Sequence, residues 1–80
     1  MDEYYATLAE ALRDRLQIIA DSQLREQDPT GHLTKLKEAS ERIEELKKRL
    51  PFDTDPMLAH YLERMSLTKA LDFVQSRYLR

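Results

Sequence analysis

Apolar residues recur along the chain at steps of three and four. Tyr5, Leu8, Leu12, Leu16, Ile19 and Gln23 keep one line, widened by Ala11, Ile18 and Leu24. That period places them on one face of an amphipathic helix running from about residue 2 to residue 27. A second segment, about 30–50, is more regular: Leu36, Ala39, Ile43, Leu46 and Leu50 follow a 3-4-3-4 spacing, and Leu33 extends the line toward its start. Such a seam suits a helix packed at a shallow angle on a neighbour.

The third segment, about 56–78, breaks the rule. Leu58, Tyr61, Leu62 and Met65 share one face at 100° per residue, whereas Leu67, Leu71, Val74 and Tyr78 fall on nearly the opposite one. The stripe changes sides near Ser66. A break there, with Ser66 capping a short last helix, is one solution; a continuous helix that is apolar on both sides is the other. No Gly or Pro marks a break, and Leu, Lys, Ala and Met are good helix formers, which favours continuity.

Punctuation separates the three segments. Asp28-Pro29-Thr30-Gly31 has the residue preferences of a type I turn, and Asp55-Pro56 reads as a capping carboxylate followed by proline in the first helical position. Short connections between helices of matched length imply antiparallel neighbours. The expected architecture is one all-α domain over residues 1–80, an up-down-up antiparallel three-helix bundle whose third helix is either straight or bent near Ser66.

Composition narrows the function. At 80 residues a single core is barely sufficient, so self-association is a natural source of further stability. There is no cysteine, and Met1-Asp2-Glu3 lacks the basic and then apolar start of a secretion signal, so a cytoplasmic location is expected. No apolar run is long enough to span a bilayer. A net charge of −2 weighs against nucleic acid. On helix two, Glu38 with Arg42, Glu44 with Lys48 and Glu45 with Arg49 are spaced to pair on a solvated face.

Candidate chemistry is sparse. His32 and His60 each follow an Asp-Pro pair, yet the bundle places them near opposite ends, about 20 Å apart along the axis, too far to share an ion. His60 with Glu63 and Tyr61 is the remaining candidate metal-binding or catalytic set, but it lacks the second Glu-x-x-His unit of paired-helix carboxylate sites. Ser66-Leu67-Thr68-Lys69 has Ser-x-x-Lys spacing without the accompanying motifs. The bases Lys47, Lys48, Arg49, Arg64, Lys69, Arg77 and Arg80 are the candidate nucleic-acid contacts, and they do not merge into one stripe.

What survives is an excess of apolar surface. If the third helix is continuous, Leu67, Leu71, Val74 and Tyr78 form an exposed patch, with Tyr4 and Ile18 as secondary contacts. The expectation is a non-enzymatic, cofactor-free interaction module that binds another helical protein or, first of all, forms a homodimer through this face. The competing solution is a third helix bent enough near Ser66 to fold both faces into one core.

Overall fold

A computed structural model describes residues 3–79; the expected helix start at Asp2 and the basic Arg80 lie outside them. The described chain is all helical: α1 (Glu3–Ala20), α2 (Ser22–Gln27), α3 (Pro29–Lys48), α4 (Pro56–Glu63) and α5 (Leu67–Arg77). α1 packs on α3 and on α5, α4 packs on α5, and α2 folds against α3. The result measures 42 × 22 × 22 Å.

The two Asp-Pro pairs start helices, as their chemistry requires. Asp55 accepts from the Met57 amide at 2.9 Å with Pro56 in the first turn. Asp28 accepts from the Gly31 amide at 3.0 Å with Pro29 in the first turn. Each carboxylate occupies one donor that a helix start leaves unpaired. Gly31 has a steric role here, since a Cβ at that position would meet the Asp28 carboxylate at 2.3 Å.

The first expected helix is two. Asp21 interrupts it, its carboxylate accepting from the Leu24 amide at 3.0 Å and so capping α2. The break costs Ile18 its regular helical partner. Its carbonyl is met instead by the Asp21 amide at 3.1 Å and by the His32 ring at 2.8 Å. A carbonyl only accepts, so Nε2 of His32 carries the hydrogen.

The third expected helix is also two. α4 ends in a Schellman motif: the Ser66 amide donates to the Tyr61 carbonyl at 2.8 Å and the Met65 amide to the Leu62 carbonyl at 3.1 Å. Met65 sits in the left-handed region at φ 57°. Ser66 is the N-cap residue of α5, but its hydroxyl makes no capping bond. The stop is therefore made by backbone closure. Because Met65 strains and glycine would not, Met65→Gly is expected to leave stability unchanged or raise it by about 0.5 kcal/mol, and Met65→Val to lower it by about 1 kcal/mol. Urea midpoints of the two variants check this. A continuous helix through residue 65 gives the reverse order, since glycine is the worse residue in a helix interior.

The break reverses the chain. α3 runs antiparallel to α1, since the His32 ring meets the Ile18 carbonyl at one end and the Tyr4 hydroxyl donates to the Leu46 carbonyl at the other. α5 also runs antiparallel to α1, with Leu67 beside Leu16 and Ile19 and Tyr78 stacked on Tyr5 at 3.8 Å. The up-down-up arrangement of three rods is thus replaced by an antiparallel α1/α3 pair with an α4/α5 hairpin laid on α1. Both apolar faces of the third segment enter one core: Leu58 and Leu62 from α4, and Leu67, Ala70 and Val74 from α5, join Leu8, Leu12 and Ile43.

At the Tyr5 end the core is finished by aromatic rings. Tyr5 is 4% exposed, and its hydroxyl lies 2.8 Å from Thr54 Oγ1. Burial, and then the neighbouring Tyr78 and Asp53, raise its pKa above the ordinary 10.0, with the Thr54 hydrogen bond opposing. A raised folded-state pKa means that Tyr5 contributes stability in full below pH 10 and loses it as pH rises through the folded-state value. Thermal midpoints across that alkaline range are expected to fall more steeply for the parent than for Tyr5→Phe.

Candidate interaction surface

The proposed contact face does not stand open. Leu67 is 6% and Val74 0% exposed, both inside the core of the same chain. Leu71 and Tyr78 are half-buried against that core. The turn at Met65 points this face inward, so the continuous, two-faced helix that would have displayed it is absent. Tyr4 and Ile18 are likewise half-buried.

Of the chemical candidates His60, Tyr61 and Glu63, the rings of His60 and Tyr61 lie 6.1 Å apart. His60 is exposed, and Glu63 points to Lys47, whose Nζ is 3.0 Å away. That hydrogen bond holds Lys47 above its ordinary pKa. Among the described residues, no group of three or more His, Cys, Asp or Glu is placed to hold a metal ion. No helix among them is long and apolar enough to cross a membrane.

Many of the bases are paired with acids. Lys47 meets Glu44 and Glu63, Lys48 and Arg49 both meet Glu45, and Arg77 meets Asp55 at 3.3 Å. Of the three ion pairs expected along helix two, only Glu45 with Arg49 forms. Arg42 turns away from Glu38 and crosses to Asp14 and Glu10 on α1, at 3.1 and 3.5 Å. The neighbouring helix supplies two carboxylates on that side, and an exposed pair of this kind is worth at most about 1 kcal/mol.

Open apolar surface lies elsewhere. On α1 burial is complete at Leu8 and Leu12, partial at Leu16, and lost at Ile19, which is 43% exposed. On α3, running the other way, it is complete at Ile43, partial at Ala39 and Leu36, and lost at Leu33, which is 65% exposed. Both seams open toward the same end of the molecule. Part of the cause is length: α1 has 18 residues, about 27 Å, whereas α5, which packs on it, has 11, about 16 Å, and does not cover it to its end.

Two depressions meet at Ile19 there. One, about 410 Å³, lies between α1 and the start of α3, lined by Ile19, His32, Leu33 and Leu36 with Arg25 at its edge. The other runs from Leu16 and Ile19 to Met65 and Leu67 at the α4/α5 turn, with Lys69 at its edge. Adjoining at Ile19, the two are termed the groove, and the only charged residues lining them are bases. Arg15 ties α1 to α3 at Leu36, donating from Nη1 to the Leu36 carbonyl at 3.2 Å and to the Ser40 hydroxyl.

No family model, curated protein or solved structure matches the chain. Its own geometry is therefore the guide to its role. Sequence periodicity places Ile19, Leu33 and Leu36 in core seams, which is why it passes over them as surface. The hint lay at Ser66, where the stripe changes sides, because a chain that reverses there leaves α1 longer than the helix laid on it.

Proposed function

We propose that the protein is a non-catalytic helical interaction module, acting in the cytoplasm, that docks an apolar protein segment in the groove lined by Ile19, Leu33 and Leu36. The observation that carries this is the loss of burial on α1 and α3 toward one shared end, which leaves Leu33 65% exposed beside Ile19 at 43% and Met65 at 41%. Contiguous exposed apolar surface at a concave site is the usual mark of a docking surface. The groove offers little to chemistry, since the ring nitrogen Nε2 of His32 is occupied by the Ile18 carbonyl. The sequence-based expectation of self-association is kept as one form of this docking, moved from the α5 face to the groove.

The test is a titration of isotope-labelled protein with three amphipathic helical peptides of about 18 residues, bearing neutral, acidic or basic flanks, together with a dilution series of the protein alone. Amide shifts confined to the groove are expected for at least one peptide or on self-concentration, and Leu33→Asp is expected to remove them without unfolding the chain. Absence of any such shift up to about 1 mM, where a 4 kcal/mol interaction half-saturates, rejects the docking role.

A further inference from the structure

Resting on that docking role, we infer that the occupant of the groove is the Phe52 turn of a second copy, so that the protein associates head to tail. Phe52 is fully exposed, at 107%. It occupies a central position of the Pro51–Thr54 turn, closed by the Thr54 amide donating to the Pro51 carbonyl at 3.0 Å. The base of the turn is pinned by Tyr5 to Thr54, by the Asp55 amide to the Tyr78 hydroxyl at 3.0 Å, and by Arg77 to Asp55. The aromatic ring is therefore presented on a fixed support, which lowers the ordering cost of inserting it.

Charge selects the same pair of surfaces. Beside Phe52 stands Asp53, exposed and without an ion pair among the described residues. Arg25 and Lys69 at the groove are exposed and also make no ion pair among them. An acid next to an aromatic plug fits a basic edge around an apolar slot. A two-fold contact of groove against groove would instead bring bases toward bases.

Geometry excludes the chain filling its own groove. The turn is tied to Tyr5 and the groove is built on Ile19, 14 residues along α1 and so about 21 Å away. A plug and a slot at opposite ends give a heterologous contact, which propagates into open chains unless a rotation closes it. One turn in one groove is a small contact, so the association is weak and needs concentrated protein.

Sedimentation velocity up to about 1 mM tests it, with complementary variants. The parent is expected to grow in mass with concentration past the dimer, less so at high salt, where the Asp53 pairing is screened. Phe52→Ser, which keeps the slot, and Leu33→Asp, which keeps the plug, are each expected to be monomeric with unchanged helical circular dichroism. Mixed one to one, they are expected to form a discrete dimer and nothing larger. A monomeric parent at that concentration, association retained by either variant alone, or a mixture that stays monomeric overturns the inference. If a peptide still shifts the groove amides, the docking role survives it; if none does, both fall.

Discussion

Val74→Asp is expected to unfold the protein at every concentration, instead of dissociating an assembly of folded chains. Val74 is 0% exposed and packs in the core with Leu8, Leu12, Leu58 and Leu62. A carboxylate there has no partner and costs several kcal/mol, to which the lost apolar burial adds about 1.5 kcal/mol or more. A domain of this length holds about 4 to 12 kcal/mol in total. Far-UV circular dichroism and a one-dimensional proton spectrum read the outcome. Leu33→Asp is the control, since a charge on a residue already 65% exposed leaves the fold intact. A folded Val74→Asp monomer would put this face back on the surface.

His32→Ala is expected to cost about 2 kcal/mol, while His60→Ala stays within about 0.5 kcal/mol of the parent. The two histidines look alike in sequence, each following an Asp-Pro pair. Their surroundings differ: His32 is 4% exposed with Nε2 on the Ile18 carbonyl, and His60 faces solvent. Removing the ring at 32 leaves a carbonyl at the α1/α2 break without its side-chain donor. Denaturant midpoints of the two variants check the difference.

The fold was legible where local chemistry decides it. Asp55-Pro56 and Asp28-Pro29 start helices because a carboxylate and a fixed φ suit a helix start wherever they occur. The helical character of the three segments was legible for the same reason, since period sets which residues share a face. The two breaks were harder. Asp21 interrupts a stripe that carries on in register to Leu24, so periodicity hides the stop, and only the capping preference of Asp at 21 hints at it. At Met65 the usual glycine of a left-handed C′ position is missing, and a methionine 41% exposed takes it in the backbone closure. The change of sides between Met65 and Leu67 was the visible consequence: a chain that reverses presents the opposite face to the same core.

The groove was not legible, because it depends on comparing elements. Leu33 and Ile19 read as core on their own helices, and become surface only when the packing of the other helices leaves that end of α1 and α3 open. Phe52 was passed over because a single apolar residue in a loop has no period.

Proton–proton distances across the α4/α5 hairpin test the account most directly. The chain reversal at Met65 predicts cross-peaks between the Tyr78 ring and both the Asp55 amide and the Tyr5 ring, groups placed by a 3.0 Å hydrogen bond and a 3.8 Å ring stack. It also predicts an interrupted helical pattern at residues 64–66. A single helix over 56–78 puts Asp55 and Tyr78 about 34 Å apart. Unbroken helical contacts from residue 60 to residue 70, with neither cross-peak present, contradict the hairpin and with it the groove.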